Sequence, residues 1–218
     1  MIGSTICLAW RWRGQAAMRW THTRSGRDLL ARVPLVLIWI NQFVNTLRAG
    51  HVADLVTAVS TAIGLAFLLR RRIAVTVDYS IGAWVAAIGG TSLPMFLHPG
   101  GMALVPDAIS ASVAVAGVLV TTAGLLSLGQ SFGVVPSNRG IVSSGIYGWV
   151  RHPLYVGYFI THVGFCLANP TPLNLLIWIA GDTIQLVRIR YEERLLARDE
   201  AYREYQARVP WRVVPGVF

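Results

Sequence analysis

Lysine is missing from this 218-residue chain: all 19 of its basic residues are arginine. Charge of either sign is scarce, at 13% of residues, about half of the roughly 25% carried by an ordinary soluble domain. With 54% apolar residues, this argues against both a disordered chain and a water-soluble fold. Cysteine is nearly absent. Cys7 and Cys166 alone cannot build a disulfide framework or a four-thiolate metal site. His22, His51, His98, His152 and His162 show no metal-ligand spacing, so no metal is expected. A P-loop, a dinucleotide fingerprint and a Ser-His-Asp constellation are also lacking.

What the chain has instead is long apolar blocks and a mean hydropathy of +0.53, the mark of an integral membrane protein. About 20 mostly apolar residues cross a bilayer. Residues 109–128 do so without a charge, 79–97 are nearly as clear, and 52–69 are acceptable, with Asp54 near their start. Residues 154–168 and 173–187 are shorter but separated by the turn Asn169-Pro170-Thr171-Pro172. Residues 34–47 are the weakest, interrupted by Asn41, Gln42 and Asn45. The expected fold is therefore an all-α transmembrane bundle of six spans. With both termini cytoplasmic, eighteen of the nineteen arginines fall inside and only Arg48 outside, as the positive-inside rule demands. If 34–47 did not cross, the six N-terminal arginines would lie on the wrong side. The net charge of +9 is explained by this asymmetry, so no nucleic-acid partner is expected. An arginine-only basic set fits a GC-rich genome and a bacterial inner membrane. The first 30 residues lack the apolar core of a signal peptide. Trp10, Trp12 and Trp20 among arginines suit an interfacial segment against membrane lipids, and suit a basic tail equally.

The outer loops are short and poor in reactive groups, so chemistry is expected on the inner side and late in the chain. This divides the molecule into residues 1–128, a basic segment with four spans, and residues 129–218, a catalytic region. In the connection 129–153, Gly and Pro permit a compact loop that can approach a ligand closely. Pro153 suits the first turn of a helix, which sets Arg151 and His152 at a helix mouth where an anion is favoured. Gly157 leaves space one turn further. A plain loop with an interfacial arginine explains these residue types equally well. Residues 173–206 read as one helix of about 34 residues and about 50 Å, projecting into the cytoplasm or covering the inner face. On it Gln185, Arg188 and Glu192 share a face, while Arg190 and Glu193 point elsewhere, nearer Asp182. By spacing alone, an i,i+4 ion pair between Arg188 and Glu192 is the simpler reading. Asp182 is an intramembrane acid and a functional suspect by that fact. His162 reads as a hydrogen-bonding partner for a neighbouring helix. Gly89-Gly90 and the Ala/Gly-rich span 109–128 read as close helix packing.

Read in order, Ile141-Val142-Ser143-Ser144-Gly145-Ile146-Tyr147, Arg151-His152-Pro153-Leu154-Tyr155-Val156-Gly157, Arg188-Ile189-Arg190-Tyr191-Glu192-Glu193, Tyr202-Arg203-Glu204-Tyr205 with Arg208-Val209-Pro210, and Val214-Pro215 resemble the isoprenylcysteine carboxyl methyltransferases and the related phospholipid methyltransferases. The resemblance covers roughly residues 125–218. It implies an integral membrane methyltransferase that uses S-adenosylmethionine to O-methylate a carboxylate on a lipid-like or prenylated acceptor. Carried over, the cofactor contacts would be Arg139, Gly140, Ile141, Val142, Tyr147, His152, Pro153, Leu154, Tyr155 and Glu192. Arg188 would bind the substrate beside the methyl-transfer site, with Glu192 as its catalytic partner. The connection is shorter before Gly140 than in the eukaryotic enzymes, and Gln130 receives no role. A carboxylate acceptor is already ionised at neutral pH, so no general base is required; alignment and desolvation carry the reaction. The alternatives are an N-methyltransferase of phospholipid headgroups, which would need a base, a non-methylating membrane protein such as a transporter, and an NADPH-dependent membrane reductase. Residues 1–120 resemble nothing beyond their hydrophobicity, and the sequence assigns no oligomeric state.

Overall fold

The structure, a computed structural model, describes residues 52–217 together with Val36, Leu37, Ile40, Phe43 and Val44. Apart from those five residues, the expected span 34–47 lies outside this set, as do Arg48 and the segment with Trp10, Trp12 and Trp20. The elements are α1 (Val52–Arg70), β1 (Thr76–Val77), α2 (Ile81–Ser92), which a 3-10 turn at Leu93–Phe96 prolongs, α3 (Asp107–Leu128), β2 (Ser137–Asn138), α4 (Pro153–Ala168), α5 (Pro172–Leu196) and α6 (Glu200–Arg208). Each of the five apolar blocks read from 52 onward thus folds as a helix. Among the described residues one helical stretch, Asp107–Ser131, is long and apolar enough by itself to cross a membrane.

Local chemistry sets the helix starts. The Ser80 hydroxyl accepts from Ala83 N, and the Thr171 hydroxyl from Asn174 N at 3.1 Å, each satisfying an otherwise orphaned first-turn donor. Pro153 and Pro172 occupy first-turn positions where an N–H would be unused.

Small residues then decide which helices touch. A Cβ on Gly157 would stand 2.7 Å from Thr121 N and 2.8 Å from Gly117 O, so α3 and α4 meet backbone to backbone. Gly157 does not leave room for a ligand, as its position suggested; the packing of α4 on α3 consumes that room. Gly90 makes room for a side chain between α2 and α5: a Cβ there would stand 2.9 Å from Gln185 Oε1, and Gln185 Nε2 donates to Gly90 O at 2.9 Å. Close packing at small residues substitutes for the hydrophobic drive that lipid surroundings remove.

The end of the bundle at the turn between α4 and α5 is closed by two buried asparagines. Asn174 Nδ2 donates to His98 O and Asn169 O, both at 2.8 Å, and Asn169 Oδ1 accepts from Gly100 N at 3.0 Å. At the opposite end, β1 and β2 form a two-residue antiparallel ladder pairing Thr76 with Asn138 and Val77 with Ser137, a small departure from an all-helical fold. Arg72 N donates to Gln130 O at 2.8 Å, Arg72 Nε donates to Gln130 Oε1 at 3.0 Å, and Arg139 donates to Arg72 O. The connection 129–153 is thereby fastened to the segment after α1.

The expected 34-residue helix from 173 to 206 does not form. It breaks between Leu196 and Glu200. Asp199 caps α6 through Ala201 N at 3.1 Å and accepts from Asn138 Nδ2 at 3.0 Å. Tyr202, Tyr205 and Val209 bury themselves against Tyr147, and Tyr205 donates to Tyr147 O at 2.7 Å. A straight helix would leave these three side chains in water. The tail folds back onto the connection at Tyr147 and does not project away from the bundle.

Candidate active site

Two cavities meet inside the bundle. The inner one is walled by Arg139, Gly140, Ile141, Val142 and Tyr147 of the connection, by His152, Leu154 and Tyr155 at the start of α4, by Arg188 and Glu192 of α5, and by Tyr202 and Tyr205 of the tail. Gly140 has φ +103°, a left-handed turn that glycine adopts without strain. Of the cofactor and substrate contacts that the resemblance implied, Pro153 alone is off this wall, fully buried as the first residue of α4. The second cavity is apolar. Gly64 of α1, Pro94, Met95, Leu125, Phe132, Tyr158, His162, Phe165, Gln185 and Arg188 are among the residues that line it. Phe132, Tyr158 and Arg188 belong to both walls.

Gln185, Arg188 and Glu192 do share one face, as their spacing indicated. Arg188 Nη1 donates to Gln185 Oε1 and Thr91 Oγ1, both at 3.2 Å, and Nη2 donates to Gly133 O at 3.1 Å. Nη2 also lies 3.7 Å from Glu192 Oε1, and the guanidinium carbon sits 5.4 Å from the Tyr155 ring centroid. Yet Arg188 Nε is buried and has no hydrogen-bond partner. A buried charged donor left unpaired costs about 1–3 kcal/mol or more, so this atom awaits an acceptor. Glu192 Oε2 accepts from Tyr155 Oη at 2.8 Å and lies 3.8 Å from His152 Nδ1. Arg190 is exposed, off this face.

The helix mouth at Arg151 and His152 is not open to an anion. Arg151 N donates to Trp211 O at 2.9 Å and His152 N to Arg212 O at 2.8 Å. The Arg151 side chain, 7% exposed, donates through Nη1 to Val209 O and Pro210 O, both at 2.8 Å, and through Nε to Glu193 Oε1 at 2.8 Å. A buried guanidinium needs several acceptors, and the returning tail supplies them. Glu193 is the hub. It also accepts from Arg212 Nε at 2.7 Å and from His152 Nε2 at 3.2 Å. Burial pushes its carboxyl up, but the hydrogen bonds from His152, Arg212 and Arg151 outweigh this and hold it at about 2. Spacing had turned Glu193 away from the site, and it does face away from Arg188; its partners lie 41 and 42 residues earlier in the chain and 19 later, where no periodicity reveals them. Tyr202 and Tyr205 of the tail, to which the resemblance gives no role, also line the inner cavity. Burial pushes both phenols well above their ordinary value, and the Tyr202 hydroxyl is buried without a partner on the cavity wall.

Residues 109–198 match the model of the isoprenylcysteine carboxyl methyltransferase family. Protein-S-isoprenylcysteine O-methyltransferase from Homo sapiens is 32% identical over 108 residues, covering 43% of this chain and 36% of that protein. The protein of the same name from Schizosaccharomyces pombe is 33% identical over 106 residues, 43% of each. That from Mus musculus is 29% identical over 186 residues, 77% of this chain and 62% of its own length. The chain thus spans from about a third to somewhat under two thirds of these relatives, and the matched stretch holds α3, α4, α5 and most of both cavity walls.

Proposed function

Because residues 109–198 match the model of the isoprenylcysteine carboxyl methyltransferase family, we propose that the chain is a membrane methyltransferase of that family that O-methylates a carboxylate on a lipid-like acceptor of the isoprenylcysteine type. The observation that carries this reading is Arg188, which lies on the wall of both cavities and keeps a buried Nε without a partner. A guanidinium matches a carboxylate in charge and fork geometry. The acceptor's tail occupies the apolar cavity, and its carboxylate stands at the junction.

The inner cavity suits S-adenosylmethionine. Its wall offers the Glu192 carboxylate and the rings of Tyr147 and Tyr155 to a cationic centre, and the unpartnered Tyr202 hydroxyl to a polar group. That cofactor supplies an electrophilic methyl group on a sulfonium. Arg139, Gly140, Ile141 and Val142 hold it from the connection; His152, Leu154, Tyr155 and Glu192 hold it from the helices, with Pro153 setting the start of α4. Tyr155 fixes the Glu192 carboxylate, and Glu193 fixes His152. Arg188 orients the acceptor carboxylate and replaces part of its hydration, and the apolar cavity excludes bulk water. No proton moves, because the acceptor is ionised before it binds. The whole chain crosses the membrane six times with both termini cytoplasmic, and residues 129–218 carry the donor site.

Calorimetry on the purified protein tests the cofactor, with S-adenosylhomocysteine expected to bind and NADPH not. A nicotinamide nucleotide bound instead would replace this reading with a reductase, and neither bound would leave a non-methylating protein. Methyl incorporation into prenylcysteine analogues, compared with lipid extracts, separates carboxylate from headgroup-amine acceptors. Cysteine labelling in intact cells tests the orientation; an externally reactive tag after Phe218 would defeat it.

A further inference from the structure

Beside the apolar cavity lies a polar cluster that methyl transfer does not use, with His162 alone on the cavity wall. Asp182 Oδ1 is 2.9 Å from His162 Nδ1, and Asp182 Oδ2 accepts from Trp178 Nε1 at 2.7 Å. Trp178 and Asp182 are one turn apart on α5, and His162 comes from α4. A carboxylate can only accept, so the proton of this contact sits on His162 Nδ1. The ring lines the cavity, and among the described residues no hydrogen bond reaches Nε2. On that wall the Thr161 hydroxyl donates to Gly157 O at 2.9 Å and Gln185 Nε2 to Gly90 O at 2.9 Å, while Thr121 Oγ1 is buried without a partner.

An acid and an imidazole among apolar helices are costly unless they serve something. Here Asp182 is satisfied twice, the tautomer is set, and the one open valence is Nε2. Asp182 and Arg188 are six residues apart on one helix, which is about 9 Å of rise.

We propose that His162, held by Asp182 and Trp178, recognises a hydroxyl group on the acceptor's apolar chain, about 10 Å from the carboxylate held at Arg188. This rests on the proposed placement of the acceptor in the apolar cavity. A hydroxyl can donate to Nε2, whereas a plain hydrocarbon chain would cover that nitrogen without satisfying it. The acceptor of this chain is therefore a hydroxylated lipid acid rather than an unmodified prenyl chain.

The test uses two prenylthio acids identical except for one hydroxyl about 10 Å from the carboxylate. Binding of each to the full chain in lipid nanodiscs is measured by calorimetry, and methyl ester formation is measured separately. The hydroxylated acid should bind about tenfold more tightly. His162→Phe should abolish that preference, and Asp182→Asn, which keeps the shape and frees the ring, should reduce it. Equal binding of the two acids, failure of both to bind, or an undiminished preference in both variants would overturn the inference. A clear binding preference without ester formation would keep the hydroxyl site and overturn the methyl-transfer reading instead.

Discussion

Glu192 and Glu193 are neighbours in the chain and opposites in the molecule. Glu193 takes three cationic or potentially cationic donors, Arg151, His152 and Arg212, and is 6% exposed. Glu192 takes one tyrosine hydroxyl, and its nearest cation stands 3.7 Å away. About 100° of helix rotation separates them. The region around Glu193 is saturated and closes the tail onto the mouth of α4. The region around Glu192 and Arg188 is under-satisfied and lines space. Where every buried charge is spent on the protein itself, the charges are architecture; where one is held back, a ligand is implied.

The largest effect should come from breaking the saturated side. Glu193→Ala strands Arg151 in a buried position and should destabilise the protein by about 3–5 kcal/mol, the usual cost of removing one partner of a buried pair. Thermal unfolding in detergent checks this. Cofactor affinity should fall with it, because the tail carries Tyr202 and Tyr205 of the inner wall. An unchanged melting temperature would show that the hub is not what holds the tail.

Arg188→Ala should do the reverse, leaving the melting temperature nearly unchanged while methyl transfer falls about 100-fold or more, equivalent to about 2.7 kcal/mol. Arg188→Lys should also be impaired, because a point charge cannot replace the fork. Full activity of Arg188→Ala would end its role as the acceptor clamp.

The comparison also has a pH axis. Glu193 stays ionised in the folded protein down to about 2, against its ordinary 4.5. Its contribution is therefore complete above about pH 4.5 and is lost as the pH falls toward 2. Melting temperatures should drop through that window in the wild type, and the drop should be smaller in Glu193→Gln. Identical slopes would move the acid sensitivity to other groups.

Smaller again is Tyr155→Phe, which removes the one hydrogen bond that fixes Glu192. Cofactor affinity should weaken by about 1 kcal/mol, read by titration with S-adenosylhomocysteine. The smallest effect belongs to Arg190→Ala, on the exposed face, where both stability and turnover should stay within about 0.5 kcal/mol of wild type.

The helices were legible because their evidence is local. Apolar blocks, Pro153 and Pro172 at helix starts, and the turn at Asn169-Pro170 mark them without reference to distant residues. So was the shared face of Gln185, Arg188 and Glu192, since a 3.6-residue period requires it. The order of short motifs from Ile141 to Val214 pointed to the methyltransferase family before any helix was placed. Periodicity misled at Gly157, whose small size serves α3 rather than a ligand, and in the single long helix from 173 to 206. Nothing short-range distinguishes a helix that continues from one that stops to bury Tyr202, Tyr205 and Val209.

Residue type and spacing were therefore enough to establish a helical, apolar chain with an arginine and two glutamates at the inner end of its last long helix. Which glutamate is spent and which is free was decided in three dimensions. That choice depends on residues 209–212 returning to α4, a contact between positions about 60 apart. Its energy comes from desolvating Arg151 beside acceptors that only the folded tail brings near, and a sequence period records neighbours along one helix but not this return.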